Sequence, residues 1–372
     1  MYTQLDLSKV ISLGIIVLDR SQISEFFGLE SDPILGIDIG STAIKLMQLE
    51  MAGGQIRVQH FALEPLEPGV VIEKNIIDRD IVIAAIKAAY EKSGATTKKV
   101  CVSIPSSMSI TRLIKMGADL NDKDIGSEIE LEAERYIPYK LNEINLDYKV
   151  VGPTDDPHLV NVMLVASKSE NVYNMVNLIG DAGLTVGVVD IDCFAIGRAF
   201  ELVINKLPSK GKGKVIALFD IGATLTTLNI FKDDKIIYTR EQSFGSQQLV
   251  DEVQSVYGLT YAEAIQAMKY EHLPKDFNFE VLGPFKQTIV QQISRFCQFF
   301  FSSGDFSVID YMFLTGGCSS IYGLEQIVQD KLQVKTFIAD PFATIISPEI
   351  KAEASRLMKC CGLALRNLTK ND

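Results

Sequence analysis

Two short segments of the chain carry the same pattern of residues, and each follows an apolar run that predicts a buried strand. They are Asp38–Thr42 (Asp-Ile-Gly-Ser-Thr) and Asp220–Thr224 (Asp-Ile-Gly-Ala-Thr). A single copy is common in ordinary hairpin turns, where the aspartate bonds its own backbone. Two copies in the two halves of one chain favour two related lobes that present matched turns to one ligand. The residue types are suited to a metal-bound polyphosphate.

The first turn supplies groups that bind phosphate oxygens. Gly40 is expected to take a positive φ angle and to leave no side chain between backbone and ligand. The N–H groups of Gly40 through Ala43 would then form an anion-binding concavity. Three side chains would add donors: Ser41, Thr42 and Lys45. The second turn would offer its own groups: Gly222, Ala223 and Thr224. There, Thr227 stands where the first turn has its lysine.

The aspartates that begin the two turns are the expected metal-binding residues. Asp38 and Asp220 would each lie at the end of a strand. Mg²⁺ gives up its water ligands reluctantly, so the carboxylates would orient bound waters. The sequence therefore predicts Mg²⁺ between Asp38 and Asp220.

A third segment has two adjacent glycines at a strand-to-helix junction. Tyr311–Thr315 reads as a strand, Gly316 and Gly317 as a turn, and the residues after them as a helix running to about Leu332. Adjacent glycines let a flat base or ribose lie against the backbone. Two phosphate turns followed by this segment resemble the nucleotide site of the actin-like ATPase superfamily. That resemblance implies ATP with Mg²⁺ as the ligand.

The same resemblance implies roles for three further segments. Val188–Phe200 is similar to the first helix that connects the two lobes, and Asp190 is closest to the residue that orients the attacking water. A helix cap is the alternative for Asp190, and we favour it because caps are far commoner than catalytic residues. Met358–Arg366 is similar to the second connecting helix. Glu263 lies where relatives place a ribose-binding glutamate, although Gln266 replaces their usual lysine, which favours an exposed helix glutamate.

Composition excludes several classes of protein. The 372 residues are 47% hydrophobic, which is ample for buried cores in two or three domains. A net charge of −11 argues against binding to nucleic acid or to anionic lipid. Six cysteines without Cys-x-x-Cys spacing indicate reduced thiols and a cytosolic setting, and three scattered histidines give no support to a zinc site. No apolar stretch approaches the ~20 residues that a transmembrane helix needs.

The middle of the chain distinguishes between actin-like families. After Pro105 the pattern predicts a strand, a helix, two strands and a helix, at residues 109–116, 122–136, 146–152, 159–167 and 170–182. An αβ insert at this place resembles the division protein FtsA. Several segments resemble the type IV pilus assembly protein PilM family: Ile104–Ser107, Glu132–Tyr139, Leu146–Val150, Ser243–Leu249 and Tyr257–Thr260. The resemblance covers roughly residues 33 to 368.

The PilM resemblance implies a location and partners. It implies a groove between the insert and the first lobe that accepts the short cytoplasmic tail of the membrane protein PilN. The protein would then be cytoplasmic and peripheral at the inner membrane, with other pilus platform proteins and the cytoplasmic pilus motor as further candidate partners. Homo-oligomerisation is left open. ATP hydrolysis is expected to be slow or absent, because the support for Asp190 is weak.

The predicted fold class is α/β. It is an actin-like, ribonuclease H-like duplicated two-lobe fold with an FtsA-type αβ subdomain inserted in the first lobe. The expected boundaries are an N-terminal extension (1–33), the first lobe (34–108 and 185–212, the latter with a connecting helix), the insert (109–184), the second lobe (213–250 and 309–372) and its helical subdomain (251–308).

Two alternatives remain open on sequence alone. One is an FtsA-like filament-forming tether in cell division, which would need an amphipathic membrane helix at its end. Residues 363–372 are too short and polar for such a helix. The other is a small-molecule kinase of the same superfamily, for which no convincing general base is found.

Overall fold

The computed structural model describes residues 34–233, 235–269, 272–304, 306–347 and 350–368. The predicted N-terminal extension, residues 1–33, lies outside the described residues. The described chain forms two lobes, each built on a five-stranded sheet, and a smaller three-stranded unit.

Three groups of elements make up the first half of the chain. The first group is β1 (Leu35–Ile39), β2 (Ala43–Ala52), β3 (Gln55–Pro65), β4 (Val71–Ile72), β5 (Asn75–Ile76), α1 (Arg79–Ser93) and β6 (Lys99–Ile104). The second group is β7 (Ser109–Gly117), α2 (Asp122–Tyr136), β8 (Ile144–Pro153) and β9 (Leu159–Lys168). The third group is α3 (Ser169–Asp181), β10 (Thr185–Ile191) and α4 (Asp192–Ile204). Strands β10, β6, β1, β2 and β3 form the sheet of the first lobe in that order.

The second half of the chain builds the other lobe. Its elements are β11 (Val215–Ile221), β12 (Thr226–Lys232), β13 (Lys235–Gln242), α5 (Gln247–Tyr257), α6 (Tyr261–Lys269), α7 (Gly283–Ser303), β14 (Tyr311–Thr315), α8 (Leu324–Leu332), β15 (Lys335–Ile338) and α9 (Met358–Ala364). A π-helical turn, Asn278–Leu282, leads into α7. The sheet order is β13, β12, β11, β14, β15.

The two large sheets have the same topology. In each, the first strand pairs antiparallel with the strand after its turn and parallel with a strand on its other side. Asp38 pairs with Lys45 across the first hairpin, and Asp220 pairs with Thr227 across the second. The repeated Asp-Ile-Gly pattern therefore marks a repeated structural unit.

Local sequence signals explain where the elements begin and end. Leu35 and Ile37 are almost fully buried in β1, as expected for an apolar strand with a parallel neighbour. Helix α1 begins after Asp78, whose side chain accepts a hydrogen bond from the N–H of Ile81, and ends at Gly94 with a φ of 66°. These caps fix the first-lobe helix beside its sheet.

Helices α4 and α9 cross between the lobes. A Cβ built on Gly362 of α9 would overlap the carbonyl of Ala195 in α4, so the two backbones touch. Phe200 of α4 packs against Phe231 and Phe313 of the second lobe, with ring centroids 4.8 and 5.1 Å away. The predicted connecting helices thus lie where contacts with both lobes are made.

The insert matches the predicted order of elements, but the helix that follows β9 packs on the first lobe. Strands β7, β9 and β8 form a separate sheet, and α2 covers one face through Ile125 and Ile129. Helix α3 was assigned to the insert by the predicted range 109–184. Its buried residues instead join the core of the first lobe: Val172, Leu178 and Ile179. Helix α3 therefore packs on the first lobe at the junction with the insert, and the predicted boundary at residue 184 stays a prediction.

A backbone bridge joins the lobes at the start of β3. The N–H of Val58 donates to the carbonyl of Ile346 at 3.1 Å, and the N–H of Ile346 donates to the carbonyl of Ile56 at 3.0 Å. This bridge, named the foot bridge here, lies at the end of β3 opposite the Asp-Ile-Gly turn.

Candidate functional site

The two Asp-Ile-Gly turns face each other across the cleft between the lobes. One joins β1 to β2 and the other joins β11 to β12. Ser41 Oγ and Thr224 Oγ1 lie 2.9 Å apart and share a hydrogen bond. This contact brings together residues from opposite halves of the chain and defines the candidate site.

The glycines of these turns allow two backbone segments of the turn to approach closely. They do not adopt an unusual φ angle. The N–H of Gly40 donates to the Ala43 carbonyl at 3.0 Å. The N–H of Gly222 donates in the same way to Leu225 at 3.0 Å, and a Cβ on Gly222 would lie 2.9 Å from that oxygen. Neither glycine has a positive φ, so that prediction is wrong. The N–H of Gly40 is also engaged within its own turn rather than free for a phosphate.

Asp38 is buried at the end of β1 between two lysines. Lys45 Nζ donates a hydrogen bond to Asp38 Oδ2 at 2.9 Å. Lys359 Nζ lies 2.7 Å from Asp38 Oδ1 and forms an ion pair with it. Burial alone would raise the pKa of Asp38, but Lys359 and Lys45 outweigh it and hold that pKa below its ordinary value. Asp38 is therefore a paired, ionised carboxylate.

A second carboxylate, that of Asp192 at the start of α4, lies in the same cleft. Its Oδ1 accepts a hydrogen bond from Ser103 Oγ at 2.6 Å. Lys74 Nζ is 2.8 Å from its Oδ2, and Lys359 Nζ is 3.4 Å from its Oδ1. Burial opposes ionisation here too, yet Lys359 and Lys74 lower the pKa of Asp192. Lys359 thus connects the first turn with the first connecting helix.

Lys74 reaches from the first lobe to the second. It sits in the turn between β4 and β5, and its Nζ lies 2.5 Å from Oε1 of Glu241 in β13. The neighbouring N–H of Glu73 donates to Thr224 Oγ1 at 3.2 Å. Glu73 and Lys74 have φ angles of 48° and 67°, a left-handed conformation that is costly for residues other than glycine. This turn therefore closes the cleft over the second Asp-Ile-Gly turn.

Asp220 differs from Asp38 in its surroundings. It is half-buried at the end of β11, and burial raises its pKa, with Lys359 and Lys45 acting in the opposite direction. Gly316, with a φ of 85°, makes room beside it, since a Cβ there would lie 2.6 Å from Asp220 Oδ1. The next residue, Gly317, has no atom within 4 Å of the position of a Cβ. The Gly-Gly segment therefore leaves open space next to the second aspartate.

The carboxylate of Asp190 pairs with two arginines, whereas a catalytic role would require it to face the cleft. Its Oδ2 lies 3.1 Å from Arg198 Nη1 and 3.6 Å from Arg366 Nη1, and all three side chains are largely buried. Arg198 also donates to the carbonyl of Gly362 at 2.8 Å. Asp190 therefore holds the two connecting helices together, and Asp192 is the carboxylate of this segment that faces the cleft.

Glu263 is exposed and caps its own helix. Its Oε2 accepts hydrogen bonds from the N–H and the hydroxyl of Thr260, at 2.8 and 2.7 Å. These hydrogen bonds lower its pKa. The arrangement is a capping box at the start of α6, which agrees with the alternative role given to Glu263. A ribose contact by this residue stays a prediction.

Sequence reasoning missed two lysines of the cleft. Lys359 is flanked by the apolar residues Met358 and Cys360 in a helix expected to be buried, and an isolated charge in such a helix is a usable signal. Lys74 carries no comparable signal, because only the folded turn brings it to Asp192 and Glu241.

The cleft residues fit a polyphosphate. The ammonium groups of Lys45, Lys74 and Lys359 and the hydroxyls of Ser41 and Thr224 are donors of the kind that phosphate oxygens bind. The cavity lined by Lys74, Asp192 and Lys359 has a volume of about 30 Å³. That volume holds about one or two water molecules. The contact between Ser41 and Thr224 at 2.9 Å closes the space between the two turns, so a bound triphosphate would require the lobes to move apart.

The same residues do not fit Mg²⁺. This ion needs oxygen ligands in near-octahedral geometry, but each oxygen of Asp38 already contacts a lysine ammonium. Within the described ranges, no cluster of three His, Cys, Asp or Glu side chains is arranged to hold a metal ion. The predicted Mg²⁺ site thus disagrees with the side-chain arrangement.

A family comparison decides where the chain belongs. The family model described as "Type IV pilus assembly protein PilM" matches residues 36–368. The chain belongs to the PilM family. The match spans both lobes and the insert, so the PilM family assignment covers every element that forms the cleft.

Structural comparison agrees with the PilM assignment. The chain resembles a protein of the PilM-PilN type IV pilus biogenesis complex with a TM-score of 0.72 and 23% identity, over 90% of this chain and 98% of that one. It also resembles the ethanolamine utilization protein EutJ from Carboxydothermus hydrogenoformans, with a TM-score of 0.53 and 13% identity, over 91% and 90% of the two chains. These likenesses confirm the predicted actin-like two-lobe fold.

FtsA proteins are distant relatives of this PilM family member. The FtsA of Enterococcus faecalis is 22% identical over 84% of this chain and 82% of its own length. The FtsA of Bacillus subtilis is 21% identical over 82% and 78%. The family match therefore favours the pilus protein over the FtsA alternative.

Among the described residues, no helix combines the length and the apolar character needed to cross a bilayer.

Proposed function

We propose that this protein is the ATP-binding component of the type IV pilus assembly platform, held at the cytoplasmic face of the inner membrane by the N-terminal tail of PilN. The PilM family match supports the pilus assignment. The facing turns, with Ser41 and Thr224 at 2.9 Å, carry the nucleotide assignment. Other platform proteins, the cytoplasmic motor and self-association stay predictions.

In the proposed complex the triphosphate separates the two turns. The hydroxyls of Ser41 and Thr224 would exchange their mutual hydrogen bond for bonds to phosphate oxygens. The adenosine would lie in the open space at Gly317. Asp192 already contacts Ser103 and two lysines, so it is poorly placed to orient an attacking water. Hydrolysis is therefore proposed to be slow or absent.

Replacing Gly317 with Leu tests the nucleotide assignment. Gly317 does not have a positive φ, and its Cβ position is open, so the substitution should fold without strain. The leucine would fill the proposed adenosine space and weaken ATP binding by at least about tenfold. Calorimetric titration of ATP measures the effect.

Gly180 in α3 supplies the matched control for this titration. It is also open at its Cβ position. Gly180→Leu should leave both ATP affinity and melting temperature close to wild type. ATP binding that survives Gly317→Leu unchanged would place the nucleotide elsewhere.

The face of the insert sheet opposite α2 is the proposed site of the PilN tail. Leu113 of β7 lies directly across from Met163 of β9. Met163 packs against the first-lobe core, so this face is directed towards the first lobe. Leu113 is nevertheless 62% exposed. An exposed leucine beside a half-buried methionine, between the insert and the first lobe, suits an apolar side chain of a short tail.

Replacing Leu113 with Asp tests this placement. A charge in an apolar contact should lower the affinity for a synthetic PilN-tail peptide by roughly tenfold. Fluorescence polarisation with a labelled peptide measures the affinity. Leu131→Asp is the control, because Leu131 is 86% exposed on α2, which covers the other face of the same sheet. Equal losses in both variants would contradict the proposed face.

A further inference from the structure

Lys359 places an ammonium group where carboxylates from separate elements meet. Its Nζ lies 2.7 Å from Oδ1 of Asp38, at the end of β1, and 3.4 Å from Oδ1 of Asp192, at the start of α4. Asp220, at the end of β11, also acts on the charge of Lys359. The Lys359 side chain is only 17% exposed. One cation on α9 thus pairs with carboxylates of β1 and α4.

Lys359 pairs with one of the two aspartates from which the sequence predicts Mg²⁺ binding. The predicted Mg²⁺ depended on Asp38 and Asp220, and the ammonium group of Lys359 lies 2.7 Å from Oδ1 of Asp38. An ammonium group is a compact cation with three donors. It neutralises buried carboxylates without the ordered water shell that Mg²⁺ retains.

The remaining oxygens of these carboxylates are also engaged. Asp38 Oδ2 accepts from Lys45, and Asp192 Oδ2 contacts Lys74. A divalent ion would have to displace Lys359 and would then lie close to two further ammonium groups. Repulsion between like charges opposes that exchange in a cleft that is partly shielded from water.

We propose that Lys359 is the resident cation of this cleft and that the chain binds the polyphosphate of a nucleotide without requiring Mg²⁺. Lys45 and Lys74 would supply the remaining positive charge to the phosphates. The part of this proposal that concerns ligand binding rests on the proposed function. The part that concerns the occupied cation position rests on Lys359 alone.

The first experiment measures ATP affinity of the full wild-type chain in excess Mg²⁺ and in excess EDTA. The two dissociation constants are expected to agree within about threefold. A loss of roughly tenfold or more on chelation would overturn the proposal.

The second experiment measures metal binding in the absence of nucleotide. Free Mn²⁺ is followed by electron paramagnetic resonance as protein is added. The wild type should leave the signal unchanged, and Lys359→Met should reduce it, because Asp38 and Asp192 lose their shared ammonium. Lys359→Arg keeps the charge and should behave as the wild type. Uptake of Mn²⁺ by the wild type with an affinity as high as that of Lys359→Met would overturn the proposal.

These measurements test nucleotide binding and the position of Lys359 separately. Absence of ATP binding with and without Mg²⁺ would refute the proposed function, and the Mn²⁺ titration would still decide whether Lys359 holds the cation position. If Lys359→Met does not fold, the two wild-type measurements still decide whether ATP binding requires Mg²⁺ and whether the cleft takes up a divalent ion, and either result against expectation overturns the proposal.

Discussion

Replacing Asp38 with Asn is expected to lower the free energy of unfolding by about 3 kcal/mol at pH 7, because it removes one partner from a buried ion pair. The Asp38 side chain is 3% exposed and contacts Lys45 and Lys359. Without the Asp38 charge, Lys45 and Lys359 remain buried at the same desolvation cost. They lose part of the electrostatic attraction that offsets this cost. Urea denaturation followed by circular dichroism measures the change.

The loss should depend on pH with a definite sign. The folded-state pKa of Asp38 lies below its unfolded value, so the stabilisation is complete above about pH 4. It is lost as the pH falls through the folded-state pKa. The difference between wild type and Asp38→Asn should therefore shrink below about pH 4.

The equivalent aspartate of the second lobe provides the control. Burial raises the pKa of Asp220, so its ionised form is penalised at pH 7. Asp220→Asn should raise the free energy of unfolding at pH 7, and the gain should vanish below about pH 4. Equal destabilisation by the two substitutions would show that the two turns share one electrostatic role.

Replacing Gly362 with Ala is expected to destabilise the fold by at least about 3 kcal/mol. The added Cβ would overlap the carbonyl of Ala195, which is backbone and cannot move aside as a side chain can. Helices α4 and α9 would have to separate, and the hydrogen bond from Arg198 to the Gly362 carbonyl would be disturbed. Thermal unfolding and yield of soluble protein measure the effect.

Gly180→Ala is the matched change in an open helical position. No atom lies within 4 Å of its Cβ position, and alanine is favoured over glycine in helices. Its stability should rise by up to about 1 kcal/mol. Normal folding of Gly362→Ala would falsify the close crossing of the connecting helices.

The sequence predicted the duplicated lobes because the repeated pattern is local. Each Asp-Ile-Gly turn is specified by an adjacent apolar strand and by a glycine that permits close backbone approach. The order of strands and helices in the insert could also be predicted, because these elements are short and have a strong hydrophobic pattern. The packing of α3 could not be predicted, because whether it packs on the insert or on the first lobe depends on tertiary contacts of Leu178 and Ile179.

The charges of the cleft were harder to predict from the sequence. Asp190 and Asp192 are two positions apart, and only the folded change from β10 to α4 turns one towards Arg198 and the other towards Lys74. Lys74 and Lys359 are separated from their partners by long stretches of chain. Neither spacing nor periodicity specifies such pairs, so the lysine contacts of Asp38 and Asp192 required the structure.

The foot bridge between Val58 and Ile346 is a backbone contact about which the two lobes can rotate relative to each other. Strand β3 continues from Val58 to Pro65, a span of about 23 Å at ~3.3 Å per residue. A rotation of about 10° about the foot bridge would therefore displace the ends of the lobes that carry the Asp-Ile-Gly turns by about 4 Å relative to each other, at this rise per residue. That displacement would break the 2.9 Å contact between Ser41 and Thr224, so a rotation about the foot bridge would open the space between the two turns.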